Sequence, residues 1–306
     1  MMKIAVLGAG AMGSLYGGYL SRKNDVCLVD VWREHVDAIN ARGLDIDEAG
    51  GSITHVSPRA VTSAQDAGEA WLVIVFVKSI NTAEALESAA ALIGSETIVL
   101  TLQNGYGNGD DIARFVPRER VVVGTTSHGC TMRGPGHIFH AGSGPTHVGA
   151  LGRDQSAART VAAVLSESGF ETDCSGKVME LVWGKLFVNI AINAVTALLD
   201  VPNGFVQSDG HARECAALLV REAVEVANAS GMSFDAAAEI ENALAVAVNT
   251  GGNCSSMRAD VLARRRTEIN KINGAVVKKA GELGLDAPYN RMVSLLIGCR
   301  EDTYLN

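Results

Sequence analysis

The chain opens on a short apolar run, Ile4 to Leu7, followed by a glycine turn, a segment of helical character from Ser14 to Arg22 and a second apolar run from Val26 to Val29. That succession predicts a βαβ unit. Further apolar runs at Trp71 to Val77, Thr97 to Leu102 and Val121 to Val123 are separated by segments of helical period such as Thr82 to Ile93. Strands that are apolar throughout, rather than alternating, are what a parallel sheet covered on both faces requires. Between Gly43 and Val61, and again between Thr131 and Leu151, apolar and polar residues alternate among Gly and Pro, a pattern expected of hairpins added at the sheet edges.

The pattern changes after a short strand near Phe170 to Thr172. From Lys177 to Tyr304 only 3.6-period segments remain, broken at Pro202-Asn203-Gly204, Ser230-Gly231, Thr250-Gly251-Gly252 and Gly284 to Pro288. The expected fold class is α/β: a Rossmann-type doubly wound parallel sheet followed by an all-α C-terminal domain. The expected boundary lies near 172–177, with the first domain at 1–174 and the second at 175–306. The most apolar helical stretch, Leu181 to Leu199, approaches the ~20 residues of a membrane span. Lys185, Asn189 and Asn193 interrupt it, and polar groups are costly in a bilayer centre, so the reading is a helix buried in protein.

With 306 residues, 47% hydrophobic and 20% charged, the chain has the means to bury a sizeable core, and composition excludes disorder. Its 26 Lys and Arg stand against 34 Asp and Glu, a net charge of −8 that offers no global attraction to nucleic acid or anionic membrane. Any anionic ligand must therefore be held by local groups. The six cysteines contain no C-x-x-C pair and nothing before Lys3 resembles a signal peptide, so a reduced, cytoplasmic setting is expected. Four histidines (His128, His137, His140 and His147) fall close together, but their spacing fits no zinc motif, and they read as turn and hairpin positions with no metal expected.

Chemistry enters first at Gly8-Ala9-Gly10-Ala11-Met12-Gly13, a G-x-G-x-x-G that follows a strand and opens a helix. There two glycines let the backbone approach a pyrophosphate, the third lets helix and strand pack, and free N–H groups face the anion. Asp30, at the end of the second strand, stands where a carboxylate accepts the ribose hydroxyls of NAD(H) and repels a 2′-phosphate. Arg33 lies three residues on and would attract that phosphate, which leaves the cofactor open between NAD(H) and NADP(H). Lys78 and Asn104 each follow an apolar strand, and ligands of doubly wound sheets sit at such strand ends, so Gly8, Asp30, Lys78 and Asn104 are expected to converge.

In the later helix, Lys185, Asn189 and Asn193 recur at i, i+4 and i+8, placing three polar groups on one face of an apolar segment. A lysine in partly apolar surroundings has its ammonium form disfavoured, which suits a general acid near neutral pH. A second stripe, Ser256, Asp260, Arg264 and Glu268, reads as one face of a long helix after Gly252, with Asp260 and Arg264 as surface ion-pair partners.

These motifs, in this order and spacing, resemble the 2-dehydropantoate 2-reductase (ketopantoate reductase) family. The resemblance runs from Lys3 to about Met292 and is carried by Gly8 to Gly13, Val77-Lys78, Gln103-Asn104-Gly105, Trp183 to Ala197, Pro202 to Gly204, and Ser255 to Gly274. It implies reduction of the ketone of 2-dehydropantoate to (R)-pantoate with a nicotinamide cofactor. By the same resemblance Lys185 is the general acid and Glu268 binds substrate and orients that lysine. Asn104, Asn189, Asn193 and Ser256 would contact the 2-oxo acid, with Lys78 beside cofactor or substrate. The family's usual arginine near the second strand end is replaced here by Asp30-Val31-Trp32-Arg33. The resemblance thus favours NADP(H) while Asp30 favours NAD(H). A β-hydroxyacid dehydrogenase of the 3-hydroxyisobutyrate type and a non-catalytic nicotinamide-binding sensor are the alternatives, and a homodimer through the helical domain is compatible with either.

Overall fold

The computed structural model describes residues 1–305. The chain divides into two compact units, one formed by Met1–Gln103 and Asn108–Val178, the other by Asn104–Gly107 and the chain from Met179 onward.

The first unit is built on an eight-stranded sheet. Its strands are β1 (Lys3–Leu7), β2 (Asp25–Val29), β5 (Arg59–Val61), β6 (Ala70–Val75), β7 (Ile93–Thr101), β8 (Val121–Thr126), β11 (Thr146–Ala150) and β12 (Thr172–Cys174). They lie in the order β12-β11-β8-β7-β6-β1-β2-β5. All pairs are parallel except β8 with β11. Ile4, Val6, Leu72, Val73, Ile74, Val99 and Leu100 are fully buried, which is why these strands read as unbroken apolar runs. Helices α1 (Ala11–Leu20), α2 (Arg33–Arg42), α3 (Ala64–Ala67), α4 (Thr82–Ser88), α5 (Asn108–Ile112) and α6 (Ser156–Glu167) connect them.

Three expectations are corrected in this unit. The first helix runs from Ala11 to Leu20 rather than from Ser14 to Arg22. The segment Thr82 to Ile93 is not one helix: α4 ends at Ser88, a 3-10 turn spans Ala90–Leu92, and Ile93 already belongs to β7. The alternating segments are not simple edge additions either. Although β5 does form the sheet edge, β3 (Leu44–Glu48), β4 (Ile53–Val56), β9 (Gly129–Gly134) and β10 (His137–Gly142) build a separate sheet in the order β4-β3-β10-β9. Two antiparallel hairpins are joined there by parallel pairing of β3 with β10.

Helix α1 is covered by both sheets, because its small residues admit them. A Cβ at Gly17 would come within 2.2 Å of Leu28, and one at Gly18 within 3.1 Å of both Leu44 and Ile46. The Tyr16 ring stacks on Phe170 at 4.0 Å, and its hydroxyl reaches Thr126 Oγ1 at 2.9 Å and Thr146 Oγ1 at 2.7 Å. The histidines also behave differently from simple turn residues. His140 is buried, with Nδ1 2.8 Å from Glu48 Oε2 and Nε2 3.0 Å from His128 Nδ1, while Tyr19 donates to Glu48 Oε1 at 2.6 Å. Among the described residues no group of three or more His, Cys, Asp or Glu side chains could hold a metal ion.

The second unit is helical: α7 (Val178–Leu199), α8 (Phe205–Ser208), α9 (Gly210–Ala229), α10 (Ala236–Asn249), α11 (Ser256–Leu262), α12 (Asn273–Glu282) and α13 (Pro288–Leu305). Its core is centred on Trp183, Leu186, Phe187, Ile190 and Ala194 of α7, packed with residues of α9, α10 and α12. By length and composition α7 could cross a membrane, but 61% of its most apolar stretch is buried in the protein.

Here the stripe from Ser256 to Glu268 is corrected. Helix α11 stops at Leu262, Arg264 takes a left-handed φ of 53°, and Arg265 N–H closes onto the Asp260 carbonyl at 2.9 Å. That geometry ends a helix. Asp260 is not a surface residue but 2% exposed, its carboxylate 3.2 Å from Arg265 Nε rather than paired with Arg264.

The Tyr16 contacts set a graded expectation. Thr146 Oγ1 already lies 3.2 Å from Thr126 Oγ1, so Tyr16→Phe leaves each threonine hydroxyl a partner. It should cost about 1 kcal/mol, whereas Tyr16→Ala, which also removes the stacked ring, should cost about 3–5 kcal/mol. Urea unfolding of both variants measures the difference.

Candidate functional site

In the first unit the glycine turn adopts the form its sequence predicts. Gly8 has φ +95°, and a Cβ there would meet Val77 N at 2.6 Å. A Cβ at Gly13 would lie 1.9 Å from the Gly8 carbonyl oxygen, whereas one at Gly10 would meet nothing within 4 Å. The first and third glycines are thus demanded by the protein itself, and the second faces open space. Gly10 is the N-cap of α1 and no side chain caps it, so the first-turn N–H groups of Ala11 and Met12 remain available to an anion.

Asp30 is fixed beside this turn. Its Oδ2 accepts the Ala9 N–H at 2.6 Å and its Oδ1 the Trp32 N–H at 2.9 Å, so both oxygens are held in place with lone pairs to spare. Gly8, Asp30, Thr62, Ser63, Asn81 and Glu84 are among the residues lining a cavity of about 620 Å³. Its lining contains two carboxylates and neither a lysine nor an arginine; Arg33, exposed at the start of α2, is not part of it. Of the four residues expected to converge, Gly8 and Asp30 do so. Lys78 sits just after β6 as the N-cap of a 3-10 turn and does not line the cavity, and Asn104 falls in the other unit.

Two supports of the turn went unread in the sequence. The Ser14 hydroxyl donates to the Ala9 carbonyl at 2.8 Å, and His35 Nε2 lies 3.1 Å from Ser14 Oγ. His35 Nδ1 accepts the Gly136 N–H at 2.9 Å, so Nε2 carries the ring proton and donates to Ser14. Burial lowers the pKa of this fully buried imidazole, keeping it neutral. Gln103, part of the Gln103-Asn104-Gly105 motif, has a structural role: its amide donates to the Val77 carbonyl at 2.6 Å and to Thr82 Oγ1 at 3.0 Å, fastening the ends of β6 and β7.

In the helical unit, α7 carries Lys185, Asn189 and Asn193 on one face as the spacing requires. Burial pushes the Lys185 amine down from 10.5 to about 8, and the Glu268 carboxylate opposes that shift, so the two groups sense one another across the fold. Glu268 is itself buried and precedes a 3-10 turn, Ile269–Lys271. Thr267 N–H donates to Glu301 Oε1 at 2.7 Å, anchoring the segment that delivers it. The side-chain Nδ2 atoms of Asn189 and Asn193 are buried and have no protein acceptor. Such donors are costly unless a ligand or water meets them.

The remaining expected residues, Asn104 and Ser256, belong to the same unit. Asn104 begins the short loop that belongs to this unit; Tyr106 N–H donates to the Lys271 carbonyl at 2.8 Å and the Tyr106 ring packs on Trp183 at 4.6 Å, two residues before Lys185. Ser256 is the exposed first residue of α11. The cap is its neighbour Ser255, which accepts the Arg258 N–H and lies 2.7 Å from Thr196 Oγ1 of α7.

Comparison with known proteins gives the same outline. The family model described as "Ketopantoate reductase PanE/ApbA" matches residues 4–153, and its C-terminal companion matches residues 177–301. A 2-dehydropantoate 2-reductase from Halobacterium salinarum is 37% identical over 97% of this chain and 98% of its own length. One from Pyrococcus horikoshii is 35% identical over 98% of each. Among solved structures, D-mandelate dehydrogenase with NADH and anilino(oxo)acetate superimposes with a TM-score of 0.94 at 32% identity, covering all of both chains. A PanE/ApbA family ketopantoate reductase from Ralstonia eutropha gives 0.90 at 29% identity, also over the full length of both.

The Ser14 relay yields an expected outcome. Ser14→Ala strands the His35 Nε2–H and the Ala9 carbonyl, and should cost about 1–3 kcal/mol of stability, as leaving buried polar groups unpaired does. Denaturant unfolding checks the stability loss, and NADH fluorescence titration checks for the weaker binding expected of a loosened turn.

Proposed function

This chain belongs to the ketopantoate reductase family, and on that premise we propose that it reduces 2-dehydropantoate, or a similar branched 2-oxo acid, to the (R)-2-hydroxy acid with NADH as preferred cofactor. It is an oxidoreductase that binds a nicotinamide cofactor.

The observation that carries the reading is the polar face of α7: a desolvated lysine in register with two buried asparagine donors that no protein acceptor satisfies. A 2-oxo acid presents the complementary groups, a carboxylate, a carbonyl and, in 2-dehydropantoate, a hydroxyl. Asn189 and Asn193 donate to these oxygens, joined by Asn104 and by Ser256 at the open end of α11. Glu268 steadies the ammonium of Lys185 and accepts from the substrate hydroxyl.

The glycine turn and first-turn N–H groups of α1 fit a pyrophosphate, and Asp30 fits the two ribose hydroxyls. When bound, the reduced nicotinamide supplies the hydride to the substrate C2. As that carbon becomes tetrahedral its oxygen gains negative charge, and Lys185 Nζ both stabilises the charge and gives it a proton. The product is the neutral alcohol and a neutral amine that re-protonates from solvent.

Selectivity for NADH is supported by Asp30 and Glu84 in the cavity lining and by the exclusion of Arg33 from it. A second reading concerns the substrate: the strong likeness to a D-mandelate dehydrogenase crystallised with NADH and an aryl oxo acid supports a bulkier, aromatic 2-oxo acid. A steady-state panel of ketopantoate, other branched 2-oxo acids and benzoylformate, each with NADH and NADPH, decides between them. Turnover of none would reduce the chain to a nicotinamide-binding sensor.

Three outcomes are expected. Lys185→Ala lowers kcat by roughly 10³-fold or more while NADH binding persists, since a positioned acid and its charge are both removed. In the wild type the acid form is the active one, so kcat/KM for reduction falls about tenfold per pH unit above about 8, and oxidation of the hydroxy acid gains over the same range. Asp30→Ala narrows the preference for NADH over NADPH by at least about tenfold, equivalent to about 1.4 kcal/mol.

A further inference from the structure

A second cavity lies in the helical unit at the C-terminal ends of α7 and α11. It encloses about 280 Å³, and three arginines, Arg258, Arg264 and Arg300, line it with Asp200 and Tyr304 beside the buried Val261. At 1.5 Å of rise per residue, its α7 wall at Ala197 stands about 18 Å from Lys185, so this is not the site of reduction.

The charge there is unbalanced. Arg258 Nε bonds Asp200 Oδ1 at 2.8 Å, but Asp200 is the only carboxylate in the lining, against three guanidinium groups. Among the described residues the side chains of Arg264 and Arg300 enter no hydrogen bond or ion pair. Two carboxylates outside the lining bear on Tyr304: Asp260, which pairs with Arg265, and Glu301, which accepts the Thr267 N–H and stays charged. In a chain of net charge −8, a cavity so furnished is a local reversal of the prevailing field.

The backbone adds an independent observation. Asp200 (φ 54°) and Arg264 (φ 53°) are the only non-glycine residues at left-handed φ among the described residues, and both line this cavity. Each follows the end of a helix, where glycine is the unstrained choice. Side chains retained at a conformational cost concentrate where a ligand is clamped.

We propose that this cavity binds a dianionic phosphate group, either inorganic phosphate or the phosphate of a small phosphomonoester. Planar guanidinium forks match phosphate oxygens two at a time, and unpaired Arg264 and Arg300 supply them. The volume admits a phosphate together with a few atoms of an attached organic group.

Isothermal titration tests this on NADH-saturated protein in phosphate-free buffer, so that the pyrophosphate turn is already filled. The probes are inorganic phosphate and glycerol 3-phosphate. The wild type should bind at least one of them with a Kd tighter than about 1 mM. Arg264→Gly and Arg300→Gln should each weaken binding by about tenfold or more, and Lys185→Ala should leave it unchanged. Arg264→Gly should also raise the Tm of the unliganded protein, because glycine relaxes the left-handed backbone; that gain shows that a loss of affinity is not a loss of fold. Preference for glycerol 3-phosphate supports an organic phosphate as occupant, and equal affinity supports the free ion. Absence of binding at about 10 mM, undiminished affinity in both arginine variants, or loss of affinity in Lys185→Ala would overturn the proposal.

Discussion

A single amine drawn largely out of water governs the helical unit. An apolar helix such as α7 gains stability by burying its whole circumference, and a lysine within it loses hydration that the core cannot replace. The burial that lowers Lys185 toward neutrality must be tempered by a carboxylate, and the chain supplies one from far along the sequence, Glu268. A straight helix from Ser256 onward would carry residue 268 about 18 Å away from its start. The break after Leu262 and the anchoring of Thr267 on Glu301 return the chain instead, so that Glu268 comes under the influence of Lys185. The irregular segment between α11 and α12 is thus what brings a buried carboxylate to bear on the amine of α7.

The first unit meets the opposite problem, that of attracting a diphosphate to an acidic protein. What it presents is backbone dipoles rather than side-chain cations: open N–H groups at the start of α1, a turn with no Cβ in the way, and a carboxylate whose position is set by two amides. The Gly136–His35–Ser14–Ala9 relay holds the other edge of that turn. Because the turn and the carboxylate are already held by these partners, little reorganisation remains when a ligand arrives.

Much of this was legible in the sequence, for reasons that also explain what was not. The parallel sheet shows itself because burial on both faces leaves runs such as Trp71 to Val77 without polar interruption, and the α7 face shows itself because 3.6-residue spacing is local. The small four-stranded sheet was hidden, since the pairing of β3 with β10 joins distant segments and no local pattern records it. The end of α11 was hidden for another reason: Arg264-Arg265-Arg266 offers no Gly or Pro, and the helical period runs on through a backbone that does not. His35 and Ser14 each looked like an ordinary helix residue. A histidine inside the otherwise amphipathic α2, buried where charge is unwelcome, was the available signal.

The small sheet also bears on how the first unit is assembled. Its hydrogen bond between His140 and Glu48 links residues 92 positions apart, and the intervening chain includes β6, β7 and β8. The entropy lost in closing such a loop must be met before the pairing returns anything, and that loss is smallest once the large sheet has already drawn the ends together. The cost falls on the joining of the two local hairpins, not on the hairpins themselves, so the second cover over α1 depends on the large sheet that brings β3 and β10 together.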